Sequence, residues 1–154
     1  MNGNPKKILV ATDGSRDSVS AARRAVGLAK AFDAELFLVH VVPVSVPYHM
    51  SGDDFDEGPS IYEEDAERAQ RILDEQVKEI NEAGGEVAKA YLKVGEPDAE
   101  VVTLAEDIEA DLVVAGSRGK SPLRRPIGSV SSSIAAHAHC PVLVVRESGS
   151  AEGF

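Results

Sequence analysis

The stretch from Gly116 to Ser129 combines the residue types that can hold a phosphate group. Its sequence is GSRGKSPLRRPIGS, with glycines at both ends and basic but no acidic side chains between them. Glycine lets backbone N–H groups approach a ligand closely, and the unpaired N–H groups at the start of a helix attract an anion. We therefore predict a phosphate-binding loop followed by a helix from about Gly128, where Ser129 either caps the helix or donates its hydroxyl to the ligand.

The same loop has a plainer interpretation, as a solvated basic segment in which glycine and proline only shape turns. Its basic side chains occur in a chain with a formal net charge of -10, and this contrast favours an anionic ligand. The helix start at its end favours the same interpretation. The basic residues are Arg118, Lys120, Arg124 and Arg125.

Two familiar nucleotide motifs are absent from the sequence. Gly119-Lys120-Ser121 resembles the end of a P-loop, but Val114 occupies the position where that motif needs its first glycine. No G-x-G-x-x-G follows the first apolar segment, so a Rossmann dinucleotide site has no fingerprint either. The sequence therefore disfavours a Walker-type NTPase.

Asp13 is the second place where a residue type and its position suggest chemistry. It follows the apolar run Ile8–Thr12 directly, and ligands of open α/β sheets bind beyond the carboxyl ends of strands. A carboxylate there could accept hydrogen bonds from ribose hydroxyls. As part of Asp13-Gly14-Ser15 it could equally be a turn or N-cap residue, and the sequence leaves both interpretations open.

The remaining histidines and the cysteine do not form a site. The segment His137-Ala138-His139-Cys140 lacks a second cluster to complete a four-ligand metal set, and Cys140 is predicted to be a small buried apolar group. No nucleophile, base and orienting group can be assembled, since neither His40 nor His49 has an identifiable partner. Rapid catalysis is not predicted, and any hydrolysis of a phosphate ligand should be slow, with Asp13 or a metal-bound water as the candidate group.

The elements that must position these residues alternate along the chain. Five short apolar segments alternate with four stretches of helical periodicity, the pattern of parallel strands joined by crossover helices. The predicted strands cover residues 8–12, 35–42, 86–94, 111–116 and 141–145, and the predicted fold class is α/β. Residues 43–60 have no clear period and form either a lid or, as is commoner for charged loops, a solvated segment.

Composition limits the class of protein further. The 154 residues suit one domain, which we predict over residues 7–146, with flexible segments at 1–6 and 147–154. The acidic balance argues against a nucleic-acid partner, because that affinity comes mainly from Lys and Arg. No apolar stretch is long enough for a signal peptide or membrane span, and the single cysteine suits a reducing compartment. We therefore expect a cytoplasmic protein without a membrane partner.

Four segments together resemble the universal stress protein family. They are Ile8–Ser15 (ILVATDGS), Val39–Val41 (VHV), the Gly116–Ser129 loop and His139–Val145 (HCPVLVV), in the order in which the family has them. The resemblance spans Lys7 to Arg146. It implies an open five-stranded parallel sheet of order 3-2-1-4-5 with helices on both faces, a Rossmann-like fold of the adenine nucleotide alpha hydrolase type. The ligand is then expected between the ends of the first and fourth strands.

The resemblance also implies site residues. In ATP-binding members the first-strand aspartate meets the ribose, backbone at the end of the second strand meets adenine, and the glycine loop holds the phosphates. Eight residues separate Gly119 from Gly128 here, one fewer than in the family's ATP pattern. Carried onto this sequence, the predicted binding residues are Ala11, Thr12, Asp13, Val41, Gly116, Arg118, Gly119, Gly128, Ser129 and Val130.

The functional expectation is therefore an ATP-binding sensor or regulator of the stress response, with AMP, ADP or a cyclic nucleotide as related ligands and Mg²⁺ as an accompanying ion. The fifth strand is apolar at consecutive positions yet lies at a sheet edge, which together with the resemblance predicts a homodimer. That strand contains Val142, Leu143, Val144 and Val145. The alternatives are a nucleotide-independent dimeric scaffold and a slow ATPase or nucleotidyl-transfer enzyme. The sequence does not identify a further protein partner.

Overall fold

The computed structural model describes residues 3–43, 58–117 and 127–146, except for the side chains of residues 58–64. Most of the predicted 43–60 segment, the basic part of the glycine loop and the C-terminal tail lie outside this description. The strands are β1 (Lys7–Thr12), β2 (Glu35–Val42), β3 (Val87–Val94), β4 (Leu112–Gly116) and β5 (Val142–Val145). The helices are α1 (Arg16–Phe32), α2 (Gly58–Glu82), α3 (Pro97–Asp107) and α4 (Ser129–His137).

The strands form one parallel sheet in the order β3-β2-β1-β4-β5, which confirms the predicted fold class. β1 lies at its centre and pairs with β2 on one side and β4 on the other. Ile8, Leu9 and Val10 of β1 are completely buried, at 0% exposure. A strand covered by helices on both faces needs such a continuous apolar run, and this is why β1 does not alternate with polar residues.

Helices pack on both faces of the sheet and form two apolar layers. Neighbouring residues of β1 point to opposite faces, so Ile8 and Val10 pack with α1 and α2, whereas Leu9 packs with α3 and α4. Each layer therefore has its own core on either side of the same strand. No helix within the described residues is long and apolar enough to cross a membrane.

The two connections that leave the middle of the sheet lie on opposite faces. α1 follows β1 and packs in one layer, while α4 follows the neighbouring strand β4 and packs in the other. The chain therefore turns away in opposite directions after these two strands. A crevice results beyond their carboxyl ends, where ligands of open α/β sheets bind.

Gly116, the last residue of β4, allows α1 to approach this crevice closely. A Cβ atom at Gly116 would lie 2.7 Å from the backbone carbonyl carbon of Asp17 and 2.8 Å from the backbone nitrogen of Ser18. Such contacts are too short for any side chain. The glycine is therefore required by packing of the first turn of α1 against the end of β4, whatever its role toward a ligand.

Replacing Gly116 with alanine should destabilise the fold by about 1–3 kcal/mol, the usual cost of forcing extra atoms into a packed interior. Gly27→Ala in α1 is the matched control, because a Cβ there meets nothing within 4 Å. That change should stabilise the protein by about 0.5–1 kcal/mol, since alanine is the better helix former. Urea unfolding measures both free energies. A Gly116→Ala protein as stable as the parent would contradict the close packing.

Candidate functional site

A cavity of about 420 Å³ lies beyond the carboxyl ends of β1 and β4, within the size range of small-molecule sites. Every predicted binding residue that the structure describes lines it. Those residues are Ala11, Thr12, Asp13, Val41, Gly116, Gly128, Ser129 and Val130. The other two predicted residues, Arg118 and Gly119, lie outside the described residues.

One wall of the cavity is apolar, and sequence reasoning found only part of it. Val39 and Val41 of β2 lie on one face of the sheet, and Pro97 and Val101 at the start of α3 continue the surface. Ile134 of α4 completes it. Of these residues the sequence predicted only Val41 as part of the site, and only the strand order shows that the others also border the crevice. A flat, weakly polar group such as an aromatic ring suits this wall.

Asp13 is both a turn residue and a residue of the cavity lining. Its Oδ1 accepts a hydrogen bond of 2.9 Å from the backbone N–H of Ser15, so it forms the turn between β1 and α1. It also lines the cavity and is only partly buried. The N-cap of α1 is Ser15, not Asp13, since the Ser15 side chain accepts from the backbone N–H of Ser18.

Thr12 borders the cavity, but its hydroxyl is used within the protein. Its Oγ1 donates to Gln76 Oε1 at 2.8 Å, lies 3.1 Å from Ser18 Oγ, and accepts from the N–H of Gly14. Gln76 is only 3% exposed and lies among the apolar positions of α2, so the helical pattern gives no sign of this contact. The Thr12 side chain therefore holds the strand end in place.

His40 has a partner that the sequence did not reveal. Its Nδ1 lies 2.8 Å from the backbone carbonyl oxygen of Thr12, and a carbonyl can only accept, so Nδ1 carries a proton. The ring is buried and lines the cavity. The His40 side chain therefore forms a hydrogen bond between the carboxyl ends of β1 and β2. Thr12 and His40 are register partners in the sheet, which brings the ring close to this carbonyl.

The start of α4 presents unpaired backbone N–H groups to the cavity. Gly128 is its N-cap, with an extended backbone and no side chain, so the expectation that Ser129 caps the helix is wrong. Ser129 is instead the first helical residue, and it is exposed and lines the cavity. The first turn contains no acidic residue. Its N–H groups and the helix dipole therefore favour an anion.

Ser133, Asp98 and His137 are the residue types of a hydrolytic triad, but their hydrogen bonds are unsuitable for one. Ser133 Oγ donates to Asp98 Oδ2 at 2.6 Å, while His137 Nδ1 bonds the carbonyl oxygen of Ser133 at 2.9 Å. The serine proton thus goes to the carboxylate and not to a histidine base. The cluster joins α3 to α4 and lies outside the cavity lining.

Cys140 lies partly buried against the α3 and α4 layer. Burial raises the pKa of its thiol, and the negative charge of Asp111 adds to the effect. The thiolate form is thereby disfavoured. Within the described parts of the chain, no three His, Cys, Asp or Glu side chains group closely enough to hold a metal ion.

The family model described as the universal stress protein family matches residues 4–146. The chain belongs to this family. A universal stress protein of Methanocaldococcus jannaschii is 38% identical over 147 residues, which cover 92% of this chain and 82% of that protein. The two proteins therefore align over nearly the whole described domain.

Solved structures of universal stress proteins have the same fold. UspA from Lactobacillus plantarum is 26% identical, with a TM-score of 0.82 over 94% of this chain and 100% of that chain. A universal stress protein solved in complex with cAMP is 29% identical, with a TM-score of 0.67 over 93% of this chain and 98% of that chain.

The Ser133 hydrogen bond lowers the pKa of Asp98, against a smaller opposing effect of burial. Ser133→Ala should therefore raise the pKa of Asp98 toward its ordinary value, which an NMR titration of the carboxyl group would measure. The stabilisation is present when Asp98 is ionised and is lost as the pH falls through its lowered pKa. The variant should thus have a lower free energy of unfolding than the parent at neutral pH. This difference should disappear in acid, where Asp98 is protonated in both proteins.

Ser132→Ala is the control for this titration, because Ser132 is the exposed neighbour of Ser133 on α4. It should leave the pKa of Asp98 unchanged. An unchanged pKa in Ser133→Ala would mean that the carboxylate owes its acidity to the backbone N–H groups of α3 instead.

Proposed function

We propose that this universal stress protein binds an adenine nucleotide in the cavity and acts as a nucleotide-dependent sensor or regulator in the stress response. ATP is the leading ligand, ADP, AMP and cyclic nucleotides are related candidates, and Mg²⁺ would accompany ATP. The observation that carries the proposal is the juxtaposition of three surfaces in one crevice. They are a helix start suited to phosphate, a carboxylate suited to ribose and an apolar wall suited to a base.

The phosphate end of the proposed site is the start of α4. Its first N–H groups lack intrahelical acceptors, and they lie beside Gly116 and Gly128 in the cavity lining. The basic residues predicted to contact phosphate lie in the adjoining part of the loop, outside the described residues. Their charge would offset the acidity of the chain at this one place.

The ribose and base would occupy the other end of the cavity. Asp13 lies at the carboxyl end of β1, where a carboxylate can accept hydrogen bonds from sugar hydroxyls. The apolar wall of Val41, Pro97 and Val101 can cover a purine ring, and backbone groups of β2 would recognise its edge. The relative solved with cAMP supports an adenine-containing ligand for this fold.

Binding is favoured over rapid catalysis. Asp13 is the one carboxylate among the described residues that line the cavity, and it already accepts a hydrogen bond from the N–H of Ser15. His40 is tied to the carbonyl of Thr12, so its proton on Nδ1 is committed. Within the part of the chain that the structure describes, neither group is arranged with a nucleophile, and ATP hydrolysis would therefore be slow. The cytoplasmic location predicted from the sequence is part of the same proposal.

Asp13→Ala should weaken nucleotide binding by about 1.5–3 kcal/mol, the range for a hydrogen bond to a charged group. Asp13→Asn keeps an oxygen for the Ser15 N–H but loses the charge, so its affinity should lie between the two. Isothermal titration calorimetry with ATP, ADP, AMP and cAMP measures these affinities. Glu82→Ala, an exposed change at the end of α2, should have no effect. If the parent binds none of the four nucleotides, the proposal is wrong and the dimeric scaffold is favoured.

We also propose a homodimer formed through β5. This strand pairs with β4 on one side and is an edge of the described sheet, and its residues Val142, Leu143 and Val144 are only partly buried in the single chain. Unpaired backbone and apolar side chains at an edge favour association with another strand. The opposite edge, β3, is less suited to pairing because Lys89 and Lys93 flank Tyr91, within 4.9 and 5.7 Å of its ring centre.

Val144→Lys should therefore shift the protein toward monomer in sedimentation velocity. A charged side chain at the two-fold contact would face its own copy and repel it. Val94→Lys places the same charge at the end of β3, where the valine is 66% exposed, and should leave the dimer intact. A parent protein that sediments as a monomer at high concentration would rule out the dimer.

A further inference from the structure

The turn after β4 is a junction of three segments. The backbone N–H of Ser117 donates to the carbonyl of Val145 in β5 at 2.8 Å, and the Ser117 carbonyl accepts from the N–H of Gly128. Ser131 Oγ donates to the carbonyl of Gly116. The start of α4 is therefore hydrogen-bonded to this turn at two points, and its position depends on where residues 116 and 117 lie.

A buried side-chain pair fixes Ser117 itself. Ser117 is 1% exposed, and its Oγ donates to Asp17 Oδ2 at 2.6 Å, a bond across 100 residues of sequence. Asp17 is 4% exposed and lies in the first turn of α1, where the helix dipole favours a carboxylate. At 2.6 Å the bond is at the short end of the range for a hydroxyl donor. Neither residue lines the cavity.

We propose that Asp17 and Ser117 are a positioning pair that sets the start of α4 for the phosphate of the ligand. The proposal rests on the proposed nucleotide function. Without the bond to Asp17, Ser117 can shift, and Gly128 shifts with it because the Ser117 carbonyl is its acceptor. The N–H groups of Ser129 and Val130 then move relative to the phosphate. Asp13 and the wall residues of β2 and α3 belong to other elements and stay in place.

The positioning role predicts a loss of affinity only for ligands that carry a phosphate. Ser117→Ala should weaken AMP binding by about tenfold, which corresponds to ~1.4 kcal/mol, while adenosine affinity should stay within about twofold of the parent value. Ser132→Ala makes the same chemical change at an exposed position of α4 and should alter neither affinity. Calorimetric titration of the parent and the two variants with AMP and with adenosine measures the six dissociation constants. Equal losses for the two ligands would overturn the proposal, because a general structural defect does not distinguish them.

The pair can also be tested by a double substitution. If Asp17 acts on the phosphate through Ser117, then Asp17→Ala combined with Ser117→Ala should weaken AMP binding no more than the worse single change. Losses that add would mean that the two residues act independently and would contradict the proposal.

A second measurement needs no nucleotide and separates this proposal from the proposed function. Hydrogen exchange at the Gly128 amide reports the bond to the Ser117 carbonyl, and it should be faster in Ser117→Ala than in Ser132→Ala. The Leu9 amide, in the buried centre of β1, serves as the internal reference and should be unchanged. If the parent binds no nucleotide, the proposed function is wrong, but the exchange rate of the Gly128 amide still tests whether Ser117 positions the start of α4. Equal rates at Gly128, or a rise that includes Leu9, would overturn it.

Discussion

The placement of α1 and α4 on opposite faces of the sheet is the constraint on which the rest of the structure depends. β1 and β4 are neighbours at the centre, and the chain leaves their carboxyl ends in opposite directions. Helices on the same face would cover those ends, whereas helices on opposite faces leave a crevice between them. Burial of β1 on both faces, the two apolar layers and the position of the cavity all follow from this arrangement.

Backbone groups and side chains line different parts of the cavity. Groups suited to a phosphate are backbone N–H groups at a helix start, and the surface suited to a base is made of aliphatic side chains. Several polar side chains at the border are already bonded within the protein, among them Thr12, His40 and Ser131. These bonds hold strand ends and helix starts in place. Rigidity of this kind lowers the ordering cost that a ligand would otherwise meet.

The strands, the helices and the start of α4 could be predicted from the sequence because they depend on local patterns. The apolar runs gave the strands, the spacing of apolar residues gave the helices, and glycine with a helix start indicated the position of Gly128. The contacts of Ser117 with Asp17 and of Thr12 with Gln76 could not be predicted. Each joins polar residues far apart in the chain, and a single sequence has no signal that tells a buried serine or glutamine from an exposed one.

The pairing of β1 with β4 also has a consequence for the order in which the protein can form during synthesis. Ile8 pairs with Leu36 of β2 and with Leu112 of β4, so one neighbour leaves the ribosome long before the other. A nascent chain can assemble β1, β2 and β3 while half of the crevice is still missing. Pairing between distant segments is slow, because a long loop must close, at a cost in chain entropy, before the stabilising contacts form. The cavity is thus completed only by the last third of the chain, and an incomplete chain cannot enclose a ligand there.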